Sequence, residues 1–401
     1  MFAHLRIIKN ESDARKEMKS INVEDVGIKI MVPKSFHYCI KFYGLEAQDA
    51  IILKQEMIAS GGDAAISCYS IPPHGEKTDA LIMGTKSQLH ILSKKLKRQY
   101  KRIDQVGEQI IGITENVDKK HTRLGKKFRL GKKTLIMGIL NATPDSFYDG
   151  GEYNVFEKAV ERAKEMAKEG ADIIDIGGES TRPGANPVGR DEELKRIIPL
   201  IEAISDEIKI PISVDTCKAE VAGKAIEAGV SMVNDVTAFR GDENMINVIR
   251  EYDIPVCLMH MKGMPQNMQK NPHYDDVMAE ISKFLYERAK YALSRGIKRE
   301  NIVFDPGIGF GKRTGEGVED NCEILSRLME LKSLGFPVMV GASRKTFIGN
   351  ICESGTKERL EGSLGAGAMA IANGADILRV HDVKETKKMA MIVDRIVRIR
   401  K

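Results

Sequence analysis

From residue 133 onward the chain alternates short apolar runs with longer stretches whose apolar residues recur at three- and four-residue spacing. Eight apolar runs close on polar or charged residues, at 137–141, 172–179, 212–215, 232–235, 256–260, 302–305, 338–345 and 377–381. A continuous apolar run of this length reads as a parallel strand buried on both faces. Phe156 to Lys168, Glu192 to Ile204 and Lys218 to Ala228 read as amphipathic helices, with Val160, Ala163 and Ala167, or Leu194, Ile197, Ile198 and Ile201, as the apolar stripe. Strand and helix alternating eight times predict a (β/α)8 TIM barrel over residues 133–401, with its chemistry on the loops that leave the carboxyl ends of the strands.

Residues 1–118 break this rhythm. Ile28 to Val32, Ala64 to Ser67 and Ala80 to Met83 read as strands, and Glu46 to Ala59 and Ser87 to Gln99 as helices, which predicts a smaller α/β domain. Lys94, Lys95, Lys97 and Arg98 near a helix carboxyl end complement its dipole and read as a solvated face. Residues 119–132 are rich in lysine, arginine and glycine and poor in apolar residues, the composition of an exposed basic linker.

Composition excludes several classes of function. The 62 basic against 57 acidic residues leave a net charge of +5, too small a surplus to point to nucleic acid. The six cysteines show no CxxC or Cys/His ligand spacing, so neither zinc nor disulfides are expected. No run approaches the roughly 18 apolar residues of a membrane span, and the charged amino terminus has no signal-type core. A cytoplasmic enzyme with no membrane partner is expected. No GxGxxG follows the first strand and no GxxxxGK[ST] loop occurs, which argues against NAD and ATP.

The strand ends would gather Asn141, Asp175, Asp215, Asn234, Asp305, Lys345, Arg379 and His381 at one mouth. A single strand-end aspartate is as often a helix cap as a ligand contact, but eight converging polar residues form a binding site. Asp215 and Asp305 suit a planar heterocycle bearing amino and ring N–H groups, and Asn234 and Lys345 supply complementary donors. Arg182, Arg379 and His381 form a cationic group suited to phosphate oxygens.

The runs GILNATPDSF, DIIDIGGESTRPGA, ISVDT, NDV, CLMHMKG, FDPGIGFGK, GASRK and RVHDV, in this order across about residues 133–390, resemble the dihydropteroate synthases of the pterin-binding barrel family. Enzymes of that family condense 6-hydroxymethyl-7,8-dihydropterin diphosphate with 4-aminobenzoate in folate biosynthesis, releasing diphosphate, with Mg2+. The resemblance implies that Asp215, Asn234, Asp305 and Lys345 hold the pterin, with Asp175 in the pocket wall and Met259 packed nearby. Asp215, Asp305 and Lys345 would carry catalysis by favouring charge in the ring, with no general base or covalent nucleophile. Asn141 would contact the magnesium and diphosphate, and Arg182, Arg379 and His381 the diphosphate oxygens. Thr181, Pro183, Phe310, Ser343 and Arg344 would border the arylamine, and the loop bearing Pro144, Asp145 and Phe147 would close over it. A homodimer is expected from the same resemblance.

Two features depart from the family pattern. Residues 313–320 form a longer segment near the expected amine entrance, and residues 1–118 lie outside the usual barrel. Three other readings compete. The same C–N bond formation with a ribofuranosyl-aminobenzene phosphate would belong to tetrahydromethanopterin biosynthesis. A pterin-dependent corrinoid methyltransferase would have no need of the cations in the loops at 180–184, 343–345 and 379–381. A non-catalytic pterin-binding protein would have lost cations from that cluster, and this chain has lost none.

Overall fold

The computed structural model describes residues 1–8, 10–70, 77–119, 121–142, 152–179, 187–264, 267–315 and 317–398. The chain divides into two compact units, Met1–Lys119 and Lys120–Lys401.

In the first unit, strand Thr78–Thr85 lies between His37–Leu45 and Asp63–Ile66 in an antiparallel sheet. Helices Ala47–Ile58, Lys86–Leu96 and Lys101–Asp118 bury Leu53, Met57, Leu89, Leu92, Ile103 and Ile110 in a core shared with Ile40, Phe42 and Ile82 of the sheet. The strand expected at Ile28 to Val32 is a correction, because Asp25–Met31 is helical. Ile28 and Val32 pack with Ala14 while Ile30 is exposed, and burial at i and i+4 is the signature of a helix.

In the second unit, eight parallel strands among the described residues form the barrel. They are β1 (Leu135–Asn141), β2 (Ile173–Gly177), β3 (Ile212–Asp215), β4 (Met232–Asp235), β5 (Val256–Met259), β6 (Ile302–Asp305), β7 (Met339–Val340) and β8 (Ile377–Val380). Neighbours pair in the order β6-β5-β4-β3-β2-β1-β8-β7, and a parallel bridge from Phe304 to Val338 joins the two ends. Burial on both faces explains why the strands read as unbroken apolar runs, and strand parity assigns each residue to a layer. Ile136, Ile174, Val214, Val233, Leu258, Phe304, Val340 and Leu378 face outward into the core shared with the helices. Met137, Ile173, Met232, Cys257, Val303, Met339 and Ile377 face the barrel axis in a separate apolar layer. One step further along the axis-facing side come Asp175, Ser213, Asp215, Asn234, Asp305 and Arg379, so the barrel interior passes from apolar to polar toward the carboxyl ends of the strands.

The expected exposed linker is corrected as well. Arg123–Leu124 and Phe128–Arg129 pair as a small hairpin whose Leu124 and Phe128, together with Leu130, join the apolar layer along the barrel axis. The lysines and arginines of this stretch dominate its composition, but three apolar side chains are enough to close the amino-terminal end of the barrel. Phe128→Ala is therefore expected to destabilise this unit by about 3 kcal/mol, as for other buried aromatic truncations, read as a lower urea midpoint. An unchanged midpoint would show that the hairpin is not part of the core.

Candidate functional site

The axis-facing polar layer is held together by one arginine. Arg379 of β8 donates from Nε to Asp175 Oδ2 at 2.6 Å and from Nη2 to Asp215 Oδ2 at 2.7 Å. Burial works against the charge on Arg379, but these two carboxylates more than offset it and raise its pKa. Burial pushes the Asp215 carboxyl well above the usual range, and Arg379 opposes that rise. Asn234 Nδ2 donates to the same Asp175 oxygen at 3.3 Å. The opposite atoms, Asp175 Oδ1 and Asn234 Oδ1, are buried with no hydrogen-bond partner among the described residues, as is Ser213 Oγ. Unpartnered buried acceptors are costly, and three on adjacent strands mark a surface made to receive a ligand rich in N–H groups.

Asp305 closes the other side of this chamber. Its Oδ1 accepts the Gly307 amide at 2.7 Å, and burial pushes its carboxyl up to about 6 against the pull of that amide, Lys345 and Arg379. Lys345 sits at the start of helix Thr346–Cys352, its Nζ 4.1 Å from the centroid of the Phe310 ring. Phe310 packs with Met259, Val236, Met261 and Met268, which places the expected pterin-side methionine and the expected arylamine-side phenylalanine in one apolar wall.

The remaining polar residues gather at a rim. Asn141, Arg162, Arg344, His381 and Asp382 line a single cleft. Arg344, held at φ +56°, gives its guanidinium to Asp382, with Nε 2.9 Å from Oδ2, and its amide to Ser363 Oγ. Ser343 Oγ accepts from the His381 amide at 3.2 Å and lies 3.1 Å from His381 Nδ1. Ser343 and Arg344, expected to border the arylamine, thus stand at the same rim as Asn141 and His381. His381 is also not a cation. Burial first, then Arg379 and Arg344, push its imidazole down to about 4, so it offers a neutral hydrogen-bonding ring. Thr181, Arg182 and Pro183 lie outside the described residues, as do Pro144, Asp145 and Phe147.

The longer segment at 313–320 includes a small hairpin, Thr314–Gly315 with Val318–Glu319, and Arg313 binds the buried Asp320 across its base. Ser213, and Lys312 buried behind the site, were not singled out from the sequence. Ser213 is a small polar residue inside an apolar strand, and Lys312 ends the glycine-rich run at 304–312; each departs from its surroundings in a way the sequence displays.

Comparison with known proteins agrees with this geometry. The family model described as pterin binding enzyme matches residues 137–381. A dihydropteroate synthase of Clostridium beijerinckii is 45% identical over 274 residues, 68% of this chain and 98% of its own. This chain belongs to the dihydropteroate synthase family of pterin-binding enzymes. A solved synthase of this family from Xanthomonas albilineans, with 4-aminobenzoic acid, is 43% identical and covers 67% of this chain and 94% of its own, at a TM-score of 0.62. A probable bifunctional folylpolyglutamate synthase/dihydropteroate synthase of Halobacterium salinarum is 42% identical over 376 residues, 93% of this chain and 44% of its own. That alignment is too long for the barrel unit alone, so the likeness to this family member extends into the first unit.

Proposed function

We infer that the barrel condenses 6-hydroxymethyl-7,8-dihydropterin diphosphate with 4-aminobenzoate and releases diphosphate. The observation that carries this reading is the chamber in which Asp175, Ser213 and Asn234 each present a buried acceptor without a partner beside Asp215 and Asp305. A pterin offers amino and ring N–H donors in one plane, which match such acceptors. Lys345 and Phe310 flank the open end. Arg379 has five N–H donors, and Asp175 and Asp215 take two of them, leaving donors for diphosphate oxygens with Asn141 and His381 at the rim.

In the reaction the amine nitrogen attacks the pterin methylene carbon, the carbon–oxygen bond breaks with its electron pair leaving on diphosphate, and the amine proton passes to solvent. Asp215 and Asp305 favour positive charge spreading into the ring while the rim donors stabilise the departing anion. An arylamine attacks without prior deprotonation, so neither a general base nor a protein nucleophile is needed. The rim donors serve a diphosphate leaving group, which a corrinoid methyltransferase does not have.

Among the described residues no cluster of three His, Cys, Asp or Glu side chains could hold a metal by itself. The oxygen of Asn141 at the rim fits a magnesium ion carried in by the diphosphate, since that ion keeps most of its waters and needs few protein ligands. When bound, it would neutralise part of the diphosphate charge. A homodimer is supported by Met369, Met391, Ile392 and Ile396, exposed on the adjoining helices Leu360–Ala372 and Val383–Val397. A cytoplasmic setting is supported by the six cysteines, all of them unpaired. Among the described residues no helix is long and apolar enough to cross a membrane.

The pterin assignment has a pH test. Asp305 is neutral below about 6 and ionised above it, and only the ionised form accepts from a ring N–H with both oxygens. Affinity for 6-hydroxymethyl-7,8-dihydropterin, which carries no titrating phosphate, is expected to weaken as pH falls through about 6. Calorimetry should show this dependence in the wild type and its weakening in Asp305→Asn, in which Asp215 remains as a raised carboxyl. A flat profile in the wild type would remove Asp305 from the pterin site.

A further inference from the structure

Lys312 is 1% exposed, and nothing in the pterin or diphosphate assignment uses it. Its Nζ donates to Phe310 O at 2.9 Å and Gly307 O at 3.0 Å, and lies 3.1 Å from His260 Nδ1. Those three acceptors match the three N–H groups of an ammonium. Burial first, then the charge of Lys312, keep the His260 imidazole neutral, so its Nδ1 is free to accept. The acceptors come from two neighbouring strand ends, the loop after β5 and the loop after β6.

The loop after β6 is a turn closed by the Phe310 amide on Gly307 O at 3.0 Å. Gly307, Gly309 and Gly311 all have positive φ, and a Cβ on Gly307 would come within 1.9 Å of His260 O, so the turn lies directly on β5. The Gly309 amide donates to Asn321 Oδ1, and Gly309 O accepts from Gln269. The turn carries Phe310 under the Lys345 ammonium, and the Lys345 stem passes so close to Gly309 that a Cβ there would meet it at 3.2 Å. Ordering a lysine and burying its ammonium are both unfavourable, and here three hydrogen bonds offset that cost where the turn meets the site.

We propose that Lys312 is a positioning residue of the synthase, which fixes the Gly307–Phe310 turn from beneath and thereby sets the face that Phe310 presents to the arylamine. This rests on the synthase reading above. Asp175, Asp215 and Asn234 would hold the pterin from β2, β3 and β4, away from this turn, so loss of Lys312 reaches the pterin through the Gly307 amide on Asp305 and the Lys345 stem beside Gly309, and less directly than it reaches the Phe310 ring. Burial brings the Lys312 ammonium down to about 7, and the neutral amine above that pH keeps two N–H donors for the turn carbonyls.

The test is steady-state kinetics of Lys312→Met and Lys312→Gln beside the wild type, with circular dichroism to fix the folded fraction. Lys312→Met is expected to raise KM for 4-aminobenzoate about tenfold, with KM for the pterin diphosphate changed less than twofold and kcat per folded enzyme largely retained. Lys312→Gln keeps N–H donors and should recover part of the loss, and it remains informative if the methionine variant does not fold. An unchanged amine KM, equal rises in both KM values, or a fall in kcat that only tracks folded fraction would overturn the proposal. Absence of wild-type turnover would count against the synthase reading instead. Calorimetric binding of 4-aminobenzoate to wild type and variants holding dihydropterin and diphosphate would still decide the role of Lys312, with equal binding overturning it.

Discussion

Arg379→Met is expected to lower stability by about 3 kcal/mol and to abolish measurable turnover. The guanidinium is the counterion that Asp175 and Asp215 share, at 2.6 and 2.7 Å, and the Asp175 side chain is fully buried. Removing the guanidinium leaves two carboxylates in one chamber without this counterion, and breaking a buried ion pair from one side typically costs about 3 to 5 kcal/mol. The lower end applies because the Arg379 side chain retains 18% exposure, enough for water to screen part of the loss. The Asp215 carboxyl, already raised by burial and opposed by Arg379, would then be pushed further toward the neutral form and would act less well as an acceptor for a pterin. Adding Asp215→Asn to Arg379→Met should recover part of the stability but none of the turnover, because it removes one orphaned charge without restoring the rim donors. Urea unfolding of the single and double variants measures this. Equal stability of Arg379→Met and wild type would mean that water already carries these carboxylates.

Lys345→Ala is expected to reduce turnover about a hundredfold while leaving the unfolding midpoint nearly unchanged, a magnitude typical of removing one preorganised electrostatic donor. Lys345 is partly buried at the rim, stacked over Phe310 rather than packed in the interior, so its loss opens no closed cavity. Its charge lies beside Asp305 and favours the ionised carboxylate. The expected signature is therefore weaker pterin binding and a lower kcat together. Normal kinetics in a folded Lys345→Ala would remove it from the site.

The barrel was legible because strands buried on both faces leave little choice of residue. Runs such as Ile173-Ile174-Asp175-Ile176 can only be interior strands, and a charged residue within one marks the polar layer. The first unit was less legible, since its sheet is half-exposed. His37–Leu45 buries Ile40 and Phe42 while Cys39, Lys41 and Tyr43 stay exposed, a short alternation among polar neighbours that went unassigned. Helix Lys101–Asp118 escaped for a related reason, its buried Ile103, Val106 and Ile110 being spaced among charged and glycine residues. At the site, sequence order identified which residues meet at the mouth but not how they pair. That Arg344 turns to Asp382, that His381 is held neutral by burial and then by Arg379 and Arg344, and that Arg379 bridges Asp175 to Asp215 depend on contacts between distant strands. Basic composition hid the barrel plug, because Leu124, Phe128 and Leu130 are few but all face the same way.

The most direct measurement is diphosphate release by the purified protein with 6-hydroxymethyl-7,8-dihydropterin diphosphate and magnesium, run separately with 4-aminobenzoate and with its ribofuranosyl phosphate derivative, with each product identified by mass. Stoichiometric release coupled to 7,8-dihydropteroate with 4-aminobenzoate is the predicted result. Pterin binding without diphosphate release, or condensation with the ribofuranosyl amine alone, would contradict it.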